Sequence, residues 1–212
     1  MTETPRVRIP AERHHVGDFL LSKRTLYVYG EIGEEGEDVY VPASFILQSL
    51  MMLDAISNDP IKLVINSPGG EVYTTFALYD CMMAMESPIV TVATGFVASG
   101  AAVLLAAGTK GMRIATPNTT IMIHTTWATA GTGGDATDMS IEAAEMRDVT
   151  TKLRDILSEH TGQKKGTITR HTKKDKYFSP EEALEYGLID RIGGFRLEGG
   201  LGPVVESEDQ DG

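Results

Sequence analysis

Only one cysteine, Cys81, occurs in the sequence. A single thiol cannot form an intramolecular disulfide, which excludes the small secreted domains that depend on disulfides and fits a reducing compartment. No apolar run reaches the roughly 18 residues that a membrane-spanning helix requires, and residues 1–15 lack the apolar centre of a signal peptide. We therefore expect a soluble, cytoplasmic protein without a membrane partner.

Basic residues are few: 19 lysines and arginines stand against 30 acidic residues, for a formal net charge of -11. This balance argues against a nucleic-acid partner that is bound by neutralising phosphates. The charge is uneven, with five acids in residues 31–38, four in residues 206–212 and eight of the 19 bases in residues 152–176. All three segments are typical of solvated surface.

The length suits one domain with a sizeable core. We predict a flexible N-terminal arm at 1–18, a folded domain at 19–196 and an acidic flexible tail at 197–212, because the tail has little to bury. Within the domain, short β-rich runs alternate with helical patterns, which indicates an α/β fold with a largely parallel sheet. Strands are predicted at 25–32, 62–66, 89–94, 113–116 and 120–124, and helices at 43–58, 72–85, 99–107, 138–160 and from Pro180, with Ser179 as N-cap.

Two predicted helices have an apolar periodicity that defines an expected buried face. For the helix at 43–58 the expected face consists of Phe45, Leu47, Leu50, Met51 and Leu53. For the helix at 138–160 it consists of Met139, Ala143, Met146, Val149, Leu153 and Ile156.

Glycines interrupt the chain where a predicted strand meets a predicted helix, in INSPGG at 65–70. Backbone N–H groups at Gly69 and Gly70 could hold a negative oxygen there, although the same residues are common in ordinary tight turns. Ser67 is a candidate nucleophile, but Pro68 follows it directly, which favours a turn residue.

Ser99 occupies a second strand-to-helix junction, flanked by small residues. It does not match G-x-S-x-G, because Val97 and Ala101 stand at the glycine positions, and its type and place also suit a simple N-cap. His124 ends an apolar strand, a rigid mount of the kind that a general base needs, although such a histidine can equally be structural. Asp175 lies in a basic run and could be a surface ion-pair partner.

Four segments are diagnostic together, in this order and at these separations: INSPGG at 65–70, ASGAAVLLAAGTKGMR at 98–113, PNTTIMIH at 117–124 and YFSPEEALEYGLID at 177–190. The chain resembles, from about residue 26 to 192, the proteolytic subunit family of the Clp protease (ClpP). The resemblance implies a ClpP/crotonase-like α/β spiral of β-β-α units with a protruding helix–strand handle. It also implies heptameric rings, stacked in pairs as a tetradecamer around an enclosed chamber.

The resemblance implies a serine endopeptidase that hydrolyses unfolded proteins and peptides, with Ser99 as nucleophile, His124 as general base and Asp175 orienting the histidine. The N–H groups of Gly70 and Gly100 would form the oxyanion hole. Gly69 is expected to line the substrate site. No metal or cofactor is implied. The family's usual partner is a hexameric AAA+ unfoldase, and no Walker A motif occurs in this chain, so any ATP use would belong to that partner.

Three features depart from the family pattern. Gly100 stands where a methionine is usual, so we expect an altered substrate wall and a looser turn. The segment after His124 is about two residues longer by our alignment and contains the only tryptophan, Trp127, which is either a tolerated insertion or a substrate contact. Lys173 and Lys174 replace an acid and a base that pair between rings, which predicts a weaker double ring.

Three alternatives remain at this point. The chain could be a catalytically silent ring subunit beside an active paralogue. It could be an ATPase-independent relative, such as a phage head-maturation protease. It could also be a crotonase-like enzyme that uses paired backbone N–H groups on a thioester and has no need of the serine, histidine and aspartate.

Overall fold

A computed structural model of the chain describes residues 16–34, 41–125, 136–196 and 201–204. The strands are β1 Thr25–Tyr29, β2 Ile61–Ser67, β3 Ile89–Ala98, β4 Arg113–Ala115, β5 Thr120–Ile123, β6 Lys176–Phe178, β7 Arg191–Phe195 and β8 Leu201–Val204. The helices are α1 Val16–Ser22, α2 Ala43–Ile56, α3 Val72–Ala84, α4 Gly100–Ala106, α5 Ala136–Thr161, α6 Lys165–His171 and α7 Pro180–Tyr186. The predicted α/β class is confirmed. The helix predicted from Pro180 has the expected start, because Ser179 and Glu182 form a capping box.

The sheet is parallel along the order β1-β2-β3-β4-β7, and β8 pairs antiparallel with β7. A second ladder leaves this path at β3. The first half of β3 pairs with β4 through 91–93, and its second half pairs with β5 through 96–98. Between the halves, β3 has two more residues than β2, and Gly95 adopts a φ of +61° there. β3 therefore changes partner just before it reaches Ser99.

The largest part of the core surrounds α4, whose seven residues are all buried. Its one glycine and three alanines let α4 pack closely between α3 and the sheet. In α2 the predicted apolar face was partly wrong. Ile46, Leu50 and Leu53 are buried, whereas Phe45 is 47% exposed and Met51 is 55% exposed. The buried face thus follows the i, i+4, i+7 spacing from position 46.

Helix α5 has 26 residues, so it is about 39 Å long. Its second half packs on the core through Val149 and Leu157, but Met139 and Ile141 in its first half are 57% and 63% exposed. The prediction that Met139 lies on a buried face was therefore wrong for this chain on its own. No helix in the described ranges is both long and apolar enough to cross a membrane.

The boundaries of the predicted arm and tail stay predictions, because residues 1–15, 197–200 and 205–212 lie outside the described part of the chain. Helix α1 begins at Val16, within the predicted arm, and β8 lies within the predicted tail.

A buried ion pair joins β4 to the loop before β7. The Arg113 guanidinium donates to both carboxylate oxygens of Asp190, at 2.8 and 2.6 Å, and also to the carbonyl oxygens of Ala106 and His160. Burial alone would raise the pKa of Asp190, but hydrogen bonds from Arg113 and Gly111 outweigh it and hold that pKa below its ordinary value. This pair connects the ends of α4 and α5 to the sheet.

Candidate active site

Ser99 lies at the junction between β3 and α4 in a backbone conformation that few residues adopt. Its φ is +56° and its ψ is −124°, a strain of about 1–3 kcal/mol for a residue with a Cβ. Its side chain makes no capping hydrogen bond to α4, so the N-cap interpretation does not describe this serine. Strained backbone at such a junction is typical of a functional residue.

The ladder between β3 and β5 brings His124 next to Ser99. Val97 pairs with Ile121 and Ala98 with Met122, and the Ser99 N–H continues the pattern by donating to the Met122 carbonyl oxygen at 3.0 Å. His124 is the first residue after β5. Its Nε2 atom lies 2.8 Å from the Ser99 Oγ atom, within hydrogen-bonding distance.

The antiparallel pairing of β5 with β6 brings Asp175 to the other side of the same histidine. Ile123 pairs with Lys176, so His124 and Asp175 leave this ladder at the same end. His124 Nδ1 and Asp175 Oδ1 are 3.5 Å apart, and the two side chains are 14% and 41% exposed. This contact is longer than a usual N–H to oxygen hydrogen bond, whereas the contact with serine is not.

The INSPGG turn packs directly against Ser99. Gly69 has a φ of +93°, and a Cβ atom placed on it would lie 2.7 Å from the Ser99 Cβ atom and 2.9 Å from the Gly100 nitrogen. Only glycine fits this position without a shift of the serine. Ser67 is 1% exposed, and its hydroxyl accepts the Gly69 N–H at 3.1 Å. Ser67 is therefore the buried last residue of β2, and the prediction that it lies in the turn was wrong by one position.

Gly70 forms an isolated parallel bridge with Ile32. The Ile32 N–H donates to the Gly69 carbonyl oxygen and the Glu71 N–H donates to the Ile32 carbonyl oxygen, both at 2.8 Å. In such a bridge the residue between the two bonded neighbours, here Gly70, directs its own N–H to the side opposite its bridge partner. The Gly70 N–H therefore points away from Ile32 and toward the side of β2 on which β3 lies.

Gly100 begins α4, where helix geometry provides no acceptor within the helix for the first N–H groups. A Cβ atom on Gly100 would lie 2.5 Å from Oγ1 and 3.1 Å from Cγ2 of Thr75, a fully buried residue of α3. Thr75 thus occupies the space beside Gly100. Sequence reasoning missed Thr75, because no local pattern places it there.

Trp127 lies outside the described residues, so its predicted contact with substrate stays a prediction.

Lys173 and Lys174 are exposed on the loop before Asp175. At the end of α6, just before this loop, burial and the positive charges of Lys176 and Arg170 lower the pKa of His171. No group of three or more metal-ligating side chains occurs in the described ranges.

Sequence reasoning also missed Arg154, Thr125 and Thr172, which are hydrogen-bonded to one another beside His124. Arg154 lies three residues before the buried Leu157. Its helical position alone therefore could have placed it on the packed side of α5.

The chain is similar over most of its length to proteins of one family. The family model described as Clp protease matches residues 11–196. The ATP-dependent Clp protease proteolytic subunit 1 of Rhodopirellula baltica is 37% identical over 197 residues, which is 92% of this chain and 80% of that protein. Both matches span the positions of the serine, the histidine and the aspartate. They confirm the resemblance found in the sequence and do not favour a crotonase-like thioester enzyme. The chain is a serine peptidase that belongs to the Clp protease family.

Proposed function

We propose that Ser99, His124 and Asp175 perform the peptide hydrolysis of this peptidase. The observation that supports this assignment most is the 2.8 Å contact between Ser99 Oγ and His124 Nε2, made by a serine on a strained backbone. In this mechanism His124 takes the hydroxyl proton as Ser99 attacks the peptide carbonyl. The histidine then gives the proton to the leaving amine, and water releases the acyl-enzyme.

Asp175 has the role of orienting His124 and stabilising the imidazolium that forms during the attack. Its 3.5 Å separation from His124 Nδ1 is loose. Catalytic hydrogen bonds are often long in the absence of substrate and shorten in the reactive complex. The exposure of Asp175 also leaves this side of the site open to contact with other parts of an assembly.

The N–H groups of Gly70 and Gly100 are the donors that we assign to the oxyanion. Gly69, in the INSPGG turn and packed against Ser99, keeps the two backbones close enough for both donors to reach one oxygen. Loss of one such donor costs about 2.7–4 kcal/mol of transition-state stabilisation. Because both donors are backbone groups, the glycine at position 100 is compatible with this role.

We assign the chain to a heptameric ring, stacked as a tetradecamer, with α5 in the protruding handle that joins two rings. Apolar side chains that are exposed on α2 and on the first half of α5 support burial between subunits. They include Phe45, Met51, Ile56, Met139 and Ile141.

The substrates that we propose are unfolded proteins and peptides, which an AAA+ unfoldase delivers to the chamber. The name of the Rhodopirellula baltica relative describes an ATP-dependent protease, which favours a partner ATPase over an ATPase-independent relative. Intact Ser99, His124 and Asp175 argue against a silent subunit. The cytoplasmic location stays a prediction.

The test combines peptide and casein hydrolysis, with and without an added unfoldase, with fluorophosphonate labelling of Ser99. We expect Ser99→Ala to abolish both hydrolysis and labelling. Peptide hydrolysis that survives Ser99→Ala would refute the mechanism. Native mass measurement at low and high salt tests the assembly, and a double ring that persists at high salt and low protein concentration would contradict a contact weakened at Lys173 and Lys174.

A further inference from the structure

Arg154 on α5 connects the two chain segments that end in His124 and Asp175. Its Nη2 atom donates to the Thr125 hydroxyl at 2.9 Å, and its Nε atom donates to the Thr172 hydroxyl at 3.1 Å. Thr125 directly follows His124, and Thr172 lies three residues before Asp175. A single guanidinium thus contacts both segments at once.

The two threonines are also bonded to each other. The Thr125 N–H and the Thr125 hydroxyl both donate to the Thr172 carbonyl oxygen, at 2.7 and 2.6 Å. The Thr172 hydroxyl donates to the Ile168 carbonyl oxygen in α6 at 2.9 Å. Each hydroxyl has one proton to donate and lone pairs that accept. With both protons directed to carbonyl oxygens, both hydroxyls present lone pairs to Arg154.

This arrangement begins where the sheet stops restraining the active-site segments. The β5–β6 ladder ends at the pair formed by Ile123 and Lys176. Beyond that pair, His124 and Asp175 depend on their loops for their positions. Thr172 is 1% exposed, and the planar guanidinium fixes the two hydroxyls in one geometry.

We propose that Arg154 is a positioning residue of the peptidase. It holds the Thr125 and Thr172 segments together and so keeps His124 and Asp175 at the separation that proton transfer requires. This inference rests on the roles assigned to Ser99, His124 and Asp175 above. A misplacement of about 1 Å in an active site can lower the rate by about 10²-fold, so a modest loosening has a measurable effect.

The test uses Arg154→Met, which keeps an unbranched stem but removes every donor. We expect the rate of Ser99 acylation by a fluorophosphonate, and kcat for a short peptide, to fall about tenfold while KM stays the same. Arg154→Lys, which keeps the charge and single-point donors, is expected to recover part of the loss. Rates are expressed per titrated active site, and the assembly state is checked by native mass.

Arg147→Met is the matched control. Arg147 is an exposed arginine two turns earlier on the same helix, and we expect its replacement to leave the acylation rate unchanged. A double-mutant cycle of Arg154→Met with Thr125→Val adds a second criterion. If the two residues act together, the double variant is no slower than the slower single variant.

The outcomes are distinct. If the wild-type chain is not labelled at Ser99, the proposed function fails. If Ser99 is labelled in the wild type but Arg154→Met acylates at the wild-type rate, Arg154 has no positioning role. A lower melting temperature with an unchanged rate per titrated site also overturns the inference, because it indicates a structural role only. Should Arg154→Met fail to fold, Thr125→Val is compared with Thr125→Ser, and equal acylation rates in those two variants overturn the inference.

Discussion

The contact between Gly100 and Thr75 supports a quantitative prediction for Gly100→Ala. The added methyl group would lie 2.5 Å from Thr75 Oγ1 and 3.1 Å from Thr75 Cγ2, and Thr75 is fully buried. The threonine hydroxyl also donates to the Glu71 carbonyl oxygen at 3.0 Å, which opposes its rotation. Overpacking of this kind costs about 1–3 kcal/mol.

For a chain of this length, 1 kcal/mol corresponds to a melting-temperature shift of about 2–4 °C, so Gly100→Ala is expected to melt about 2–12 °C lower. Peptide kcat/KM is expected to fall as well, because a shift of α4 moves both Ser99 and the Gly100 N–H. The assay is thermal unfolding at one fixed protein concentration, which keeps any contribution from oligomerisation constant.

Thr75→Ala provides the compensating change. It removes Oγ1 and Cγ2 and leaves the Thr75 Cβ atom, which would lie 3.3 Å from the new methyl group. The double variant is therefore expected to melt higher than Gly100→Ala alone. Gly166→Ala on α6 is the control, because a Cβ atom there meets nothing within 4 Å. If Gly100→Ala melts like the wild type, or if Thr75→Ala gives no recovery, the packing argument is wrong.

Three further predictions concern other parts of the molecule. Asp190→Asn leaves the buried Arg113 without its charged partner and is expected to lower the free energy of unfolding by about 3–5 kcal/mol. Because folding lowers the pKa of Asp190, the pair stabilises the fold at a pH above the unfolded pKa, and that stability is lost as the pH falls through the folded pKa. Acid should therefore lower the melting temperature of the wild type more than that of Asp190→Asn. Gly69→Ala places a methyl group against the Ser99 Cβ atom, at a residue whose φ is +93°. It is expected to lower peptide kcat/KM by about 10²-fold. A kcat/KM near the wild-type value would show that the turn can move to accommodate the methyl group. Trp127→Ala is expected to change kcat/KM and cleavage preference, and unchanged values for both would exclude a contact with substrate.

The sequence named three residues that the structure brings together, but it predicted side-chain packing less well. Ser99, His124 and Asp175 were identified because four ordered segments match one family, whereas each residue alone suited a structural role. Secondary structure followed from the alternation of β-rich runs, glycines and helical patterns. The pattern missed α1, α6, β6, β7 and β8, because such short elements have weak periodicity.

The buried faces were harder to predict. Phe45 and Met51 are as apolar as Ile46, so periodicity alone admits more than one face for α2. The choice depends on where the sheet and α3 lie. In α5 the apolar residues continue past the point where the core ends, so Met139 is exposed although its spacing matches that of Val149.

By itself, the sequence determined the α/β class, the family and the identity of the proposed catalytic residues, because local patterning and motif order are properties of the chain. Only the tertiary structure decided which distant residues meet. The change of partner within β3 and the antiparallel pairing of β5 with β6 bring Ser99, His124 and Asp175 together. The contacts of Thr75 with Gly100 and of Arg154 with Thr125 and Thr172 also join residues far apart in the chain. Such contacts depend on strand register and helix packing, which the whole core sets cooperatively.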